Sequence, residues 1–229
     1  MKRAKVIIHM YVSIDGKFQG QYGSTESGAY YGPALFKMSN ANGNGSATMI
    51  ENAAPAKDDF SEYDATGINY DDYLPNLPDT TTWAISFDRH GKLNWATPYW
   101  NQDGFKMRVI EAVTKSASLN YLAFLRQKNI PYIVCGEREF DLNELLVKLK
   151  EHYAIDPLVV SGGAIINGVF LRQHLVDELS LVVAPHINGN DEIRSFFDTM
   201  GEYVDDTFAF TGAQKLADGG VHLHFKRVR

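Results

Sequence analysis

The chain of 229 residues contains one cysteine, Cys135. A single thiol excludes an intramolecular disulfide framework and any multi-cysteine metal site. Positive charge is also short, with 22 Lys+Arg against 28 Asp+Glu and a formal net charge of −6. Nucleic acids and anionic membranes are held by concentrated cationic side chains, so neither is expected as a partner. No apolar run approaches the length of a membrane span. The opening "MKRAKVIIHMYVSIDGK" pairs basic residues with an apolar run, but His9, Ser13 and Asp15 interrupt it and no small-residue cleavage site follows. A buried first strand in a soluble, cytoplasmic protein is expected instead. Two nucleotide fingerprints are missing as well, the Gly-Lys-Ser/Thr of a P-loop and G-x-G-x-x-G.

What is present is ordinary globular composition, 45% hydrophobic and 22% charged, enough for a sizeable core. "KVIIHMYV" (5–12) is β-rich and apolar and predicts a central strand buried on both faces. The polar stretch 18–28 predicts a loop, Pro33 to Ser39 a helix, Asn42-Gly43-Asn44-Gly45 a turn and "SATMIEN" (46–52) a short strand. Residues 53–80 carry many acidic residues, with prolines at 55, 75 and 78. They read as a long solvated excursion or, alternatively, a lid or dimer-contacting arm.

Beyond residue 80 the pattern is regular. Strands are expected at 81–87, 105–113, 131–135, 157–161 and 177–185, and helices at 116–129, 141–153 and 164–173. The chain closes with two strands joined by Asp218-Gly219-Gly220, a hairpin signature. Alternating strands and helices followed by a hairpin predict one α/β domain over 1–229, with a mostly parallel sheet, flanking helices and an antiparallel C-terminal edge.

In such a sheet ligands gather at the carboxyl ends of strands. "VVSGGAIING" places Gly162 and Gly163 where a strand passes into a helix, whose free N–H groups and partial positive charge suit a phosphate. Glycine removes the Cβ atoms that would hold a diphosphate away. By spacing alone the pair reads first as a tight turn and second as a phosphate cradle. His222 and His224 share a strand face but, with no third ligand nearby, read as ordinary strand residues, and no metal is expected. Cys135 ends an apolar strand and reads as a core thiol.

The segment "VVSGGAIINGVFLRQHLVDELSLVVAP" resembles the C-terminal reductase domain of the riboflavin-biosynthesis deaminase–reductase and the dihydrofolate-reductase-like proteins around it. "MYVSIDGK" (10–17), "ISFDRHGKLNW" (85–95) and "GGVHLHFKR" are similar to that family's first-strand turn, third-strand exit and last strand, in the family's order. The resemblance implies a dihydrofolate-reductase-like fold, NADPH as cofactor, a small-molecule substrate and a homodimer. Carried over by position, it implies that Ser161, Gly162, Gly163, Ala164 and Ile165 hold the diphosphate. Ser86 and Arg89 would face the adenosine half, with Arg89 matching a 2′-phosphate. Asn52 would touch a phosphate or ribose, and Asp15 and Glu51 are the carboxylates that would assist protonation or bind the substrate.

The acceptor pocket is then expected between the first strand and the helix at 33–39, with Tyr11, Phe18, Tyr30 and Tyr31 as a flat apolar wall. Two departures bear on the acceptor. Residues 18–36 contain no Lys, Arg or His, and Ser161 stands where the biosynthetic enzyme typically has Glu. A neutral or aromatic acceptor, pterin- or pyrimidine-like, fits better than a phosphate ester, which needs cationic partners. The leading expectation is an NADPH-dependent reductase. A nucleotide-binding protein of the same fold without turnover, or a dimer module using the acidic arm, are the alternatives.

Overall fold

The computed structural model describes residues 2–18, 26–52, 56–78, 82–102 and 104–228, without the side chains of Glu51 and Asn52. Its elements are, in chain order, β1 (Val6–Val12), α1 (Glu26–Met38), β2 (Ala41–Gly45), α2 (Ser46–Asn52), β3 (Trp83–Phe87), β4 (Tyr99–Gln102), β5 (Phe105–Val113) and α3 (Leu119–Gln127). There follow β6 (Tyr132–Val134), α4 (Leu142–Tyr153), β7 (Leu158–Val160), α5 (Ala164–Arg172), β8 (Glu178–Val183), β9 (Phe208–Lys215) and β10 (Val221–Arg227). The chain divides into two compact units, residues 5–39 with 156–229 and residues 1–4 with 40–155. Among the described residues no helix is long and apolar enough to cross a membrane.

In the first unit the strand order is β7-β1-β8-β10-β9. β1 runs parallel to β7, from Val6↔Leu158 to Ile8↔Val160, and parallel to β8, from Ile7↔Glu178 to Val12↔Val183. Because both neighbours are parallel, its apolar run serves two covered faces. Alternation sends Ile7 toward α1, where it packs with Leu35 and Val159 against Phe36 and Met38, while Met10 reaches the glycine junction after β7. β10 pairs antiparallel with β8 and β9, giving the hairpin-ended sheet expected from the sequence.

α1 starts at Glu26, well before Pro33, where local signals placed its beginning. Residues 26–28 of the expected loop therefore belong to the helix, and 19–25 lie outside the described residues. The cause is a cap supplied from far along the chain. The Asp218 carboxylate accepts from Ser27 N at 2.8 Å and from Ser27 Oγ at 2.7 Å. An N-terminal helix turn needs such an acceptor for its unpaired donors, and this one arrives on the tip of the β9–β10 hairpin.

The second unit has the order β4-β5-β3-β2, with β6 also paired to β5. Two sequence expectations are corrected here. Asn42-Gly43-Asn44-Gly45 is not a turn: it lies within β2, parallel to β3 from Ala41↔Trp83 to Gly45↔Phe87 and largely buried. "SATMIEN" is not a strand but α2. Asn and Gly have poor strand propensity, but pairing with an apolar neighbour overrides it. Asn42 Nδ2 meets its polar requirement on Gln102 Oε1 of β4 at 2.9 Å. β4 was also absent from the sequence reading; it pairs antiparallel with β5.

The acidic stretch is no free excursion over residues 56–78. Phe60 and Tyr63 pack edge-on against Tyr121 and Phe124 of α3, with ring centroids 4.9 and 5.2 Å apart. Tyr73 exchanges backbone hydrogen bonds with Tyr132 at 3.0 and 3.2 Å. Asp72 accepts from Val134 N at 2.8 Å and pairs with Lys148 at 3.0 Å. The segment thus covers an edge of β6 that would otherwise offer unpaired backbone groups.

The hairpin–helix contact is tight. A Cβ on Gly220 would lie 2.1 Å from Ser27 Oγ and 2.9 Å from Val183 O. Gly220→Ala is expected to destabilise the protein by about 1–3 kcal/mol through overpacking, read as a shift of the denaturation midpoint. An unchanged midpoint would show that the hairpin tip does not brace α1.

Candidate functional site

β7 stops pairing with β1 at Val160, opposite Ile8, while β1 continues to Val12 along β8. The chain leaving β7 turns through Ser161, Gly162 and Gly163 directly into α5. Gly162 sits at φ +100°, a left-handed region that side chains rarely occupy, and a Cβ there would lie 3.2 Å from Met10 Sδ. The Gly162–Gly163 peptide is cis. Gly163 is the N-cap of α5, with φ −68° and ψ −173° and no side-chain capping bond. By contrast, α3 is capped by Ser118 and α4 by Asp141. The first-turn N–H groups of α5 thus receive no capping side chain from Gly163, and half-exposed Ile165 lies beside them. Ala164 is buried, and its carbonyl accepts from Asp198 N at 2.9 Å, which fixes the helix start against the 196–199 segment. Ser161 through Ile165 therefore form one junction whose donors suit a diphosphate.

The other sequence candidates are placed differently. Asp15 lies in the same unit, exposed, and accepts from Ser13 Oγ at 2.5 Å, Asn188 N at 3.0 Å and Gly189 N at 2.9 Å. These bonds hold its carboxyl well below the usual carboxylate range, led by that from Ser13. It is a fixed anion tying the turn after β1 to the 188–189 loop, and it holds no proton to give near neutrality. Glu51 and Asn52 end α2, and their side chains lie outside the described residues.

Ser86 is wholly buried in β3, beside Glu111 of β5 in register. Glu111 accepts from the Trp95 indole, and burial, then the charge of Asp88, pushes its carboxyl well above the ordinary range. Arg89, in the turn after β3, is partly exposed and ion-paired with Glu139, while its carbonyl accepts from Thr114 Oγ1 at 2.9 Å. That turn is tied by Asp88, which accepts from Leu93 N at 2.7 Å. At this strand exit Arg89 is the solvent-facing candidate. Cys135 is buried, and burial pushes its thiol up, as suits a core residue.

One constellation escaped the sequence reading. His9 on β1 is fully buried, with its ring stacked on Tyr31 of α1 at 4.5 Å. Its Nε2 lies 3.1 Å from Tyr31 O and its Nδ1 2.9 Å from Ser180 Oγ on β8. Ser180 Oγ lies 2.6 Å from His222 Nε2 on β10, and His222 Nδ1 lies 3.0 Å from the Tyr30 hydroxyl. His222, expected to be an ordinary strand residue, is thus part of a buried row. The only sequence signal was a histidine inside the apolar run "VIIHMYV". Burial lowers both imidazoles to about 4.

A histidine whose folded value is depressed stabilises nothing when charged. Its neutral form is at home in the fold above about pH 6.5, and stability is lost as pH falls toward the folded value. For His9 alone the loss reaches about 3 kcal/mol once pH is below both values. Denaturant melts between pH 7 and 4 should show this decline, and a His9→Gln variant should show a shallower one. Parallel declines would contradict the role given to His9.

The family model for the RibD C-terminal domain matches residues 4–221. Among curated proteins, the 2,5-diamino-6-ribosylamino-4(3H)-pyrimidinone 5′-phosphate reductase of Methanothermobacter thermautotrophicus is 36% identical over 98 residues, covering 43% of this chain and 44% of the relative. The reductase of the same name from Aquifex aeolicus is 34% identical over 93 residues, 41% of each chain. Each match therefore spans less than half of the relative's length. Among solved structures, a pyrimidine reductase-like protein from Corynebacterium diphtheriae superposes with a TM-score of 0.71 at 15% identity, covering 99% of this chain and 92% of that one. The riboflavin biosynthesis reductase Rib7 of Saccharomyces cerevisiae gives a TM-score of 0.61 at 17% identity, covering 99% and 90%. These two likenesses show a shared fold. With the family model spanning both compact units, the chain belongs to the RibD C-terminal domain family.

Proposed function

We propose that the protein is an NADPH-dependent reductase acting on a small pyrimidine-like heterocycle. The observation that carries this reading is the α5 start, without a side-chain cap from Gly163, behind Gly162 and Gly163, in a chain whose curated relatives are named as reductases of a ribosylamino-pyrimidinone 5′-phosphate. Ser161 to Ile165 would hold the diphosphate on main-chain N–H groups, and Arg89 would meet a 2′-phosphate by exchanging Glu139 for it. The reduced nicotinamide, when bound, supplies a hydride. The chain's own tasks are to orient the acceptor, exclude water and provide a proton. Tyr11 and Tyr31, both half-buried with ring centroids 6.0 Å apart and planes tilted by 33°, would give an aromatic wall beyond the end of β7.

The surroundings favour an acceptor without a phosphate ester. Two cations of the same unit are engaged: Lys17 Nζ donates to Ile193 O at 2.6 Å, and Arg194 pairs with Asp198. A phosphate there would have to displace these partners. The homodimer, the cytoplasmic location and the reading of both compact units as one functional domain belong to the same proposal, and the family likeness supports them.

NADPH should raise the melting temperature more than NADH does, by preferential binding to the folded state. Gly163 lies at φ −68° and ψ −173°, and Gly163→Val is expected to weaken NADPH by about tenfold or more in protein that circular dichroism shows to be folded. Arg89→Ala should erase most of the preference for NADPH over NADH. Equal shifts with both nucleotides, or undiminished affinity in folded Gly163→Val, would overturn the reading.

A further inference from the structure

We propose that Tyr30, His222, Ser180 and His9 form a proton relay for the reduction, with the Tyr30 hydroxyl as its delivering end and His9 as its inner terminus. This inference rests on the reductase reading above and adds the proton source that reading lacks.

One assignment of protons satisfies every link. Tyr31 O can only accept, so His9 Nε2 carries a proton. In the neutral ring Nδ1 is then an acceptor, and it takes the Ser180 hydroxyl proton at 2.9 Å. Having given its one proton, Ser180 Oγ accepts from His222 Nε2–H at 2.6 Å. His222 Nδ1 is in turn an acceptor for the Tyr30 hydroxyl at 3.0 Å. The four links form a single file of donors running inward from half-buried Tyr30, whose oxygen also lies 3.2 Å from the Gln214 carboxamide. An apolar set of similar volume would fill this space without any desolvation cost.

Such a file has a second state. One extra proton reverses each link and comes to rest on His9, whose Nδ1 has both Ser180 Oγ and, at 3.2 Å, Ser180 O as acceptors. The Tyr30 O–H then points outward. Tyr31 stacks on His9 and is itself bordered by Tyr11, and Gln214 borders Tyr30. His224, with its ring 4.0 Å from that of His222, is the further titratable group whose charge opposes loading.

The step balances as follows. The acceptor carbon gains a hydride from the dihydronicotinamide, which is thereby oxidised by two electrons. The double-bond electron pair moves to the acceptor heteroatom, which takes the Tyr30 proton. Tyr30 Oη recovers a proton from His222 Nδ1, His222 Nε2 from Ser180 Oγ, and Ser180 Oγ from His9 Nδ1. His9 is left neutral on its Nε2–H tautomer, and solvent reloads the file through Tyr30.

Two measurements test this. In protein labelled with ¹⁵N-histidine at pH 7, both His9 and His222 should be protonated at Nε2 and bare at Nδ1; an Nδ1–H tautomer on either would overturn the relay. Turnover is then followed with NADPH and 2,5-diamino-6-ribosylamino-4(3H)-pyrimidinone, with and without its 5′-phosphate. The wild-type kcat should climb by about tenfold per pH unit on going from pH 8 to 6 and should carry a solvent isotope effect. Ser180→Ala should flatten the profile, abolish the isotope effect and lower kcat about 10²-fold, with NADP⁺ affinity unchanged. Tyr30→Phe, which removes one hydroxyl from a half-buried side chain, gives the same comparison if Ser180→Ala does not fold. A variant that keeps the slope and the isotope effect overturns the relay and leaves the reductase reading intact. Absence of NADPH oxidation by the wild type with both acceptors overturns the reductase reading, and the relay's function falls with it.

Discussion

The pleat of β1 is the constraint on which both functional features depend. β1 is paired in parallel on both sides and covered on both faces, so neighbouring residues must serve opposite layers. Met10 packs beside Gly162 at the junction into α5, while His9 enters the polar row beneath α1. A slip of one residue would put an imidazole against the glycine turn and a thioether among the hydrogen-bonding groups. The double pairing makes such a slip improbable, because Val6 to Ile8 are held by β7 and Ile7 to Val12 by β8.

Around this strand, carboxylates act as long-range fasteners. Asp218 caps α1 from the hairpin tip, Asp15 binds the 188–189 backbone, and Asp72 ties the acidic segment to β6 and Lys148. Two buried titratable sites then set opposing pH limits. His9 loses its contribution as pH falls, because its neutral form is the one the fold accepts. Glu111 is displaced the other way: its raised carboxyl favours the fold while protonated, and that contribution fades as pH rises through its folded value. A stability maximum between the two limits follows.

The sequence was most legible where one local signal matched the tertiary outcome. Strand–Gly-Gly–helix at 157–173, the helices expected over 116–129 and 141–153, and the Asp218-Gly219-Gly220 hairpin fall where expected to within a few residues. Local reading failed where a distant partner decides. α1 begins early because Asp218 reaches it from across the unit, and β2 is a strand of Asn and Gly because β3 pairs with it. The histidine row was invisible for the same reason: His9, Ser180 and His222 are far apart in the chain and meet only through the order β1-β8-β10. Of the site candidates, Ser161 to Ile165 are gathered into one junction, whereas Ser86 is interior and Asp15 is bound up as a turn anchor.

The central claim is that a dinucleotide lays its diphosphate on the main chain at the start of α5. A crystal structure of the complex with NADP⁺ tests it most directly. The account predicts diphosphate oxygens within hydrogen-bonding distance of the N–H groups that follow Gly163, with no side chain intervening. A diphosphate bound elsewhere, with that helix start left to solvent, would contradict it.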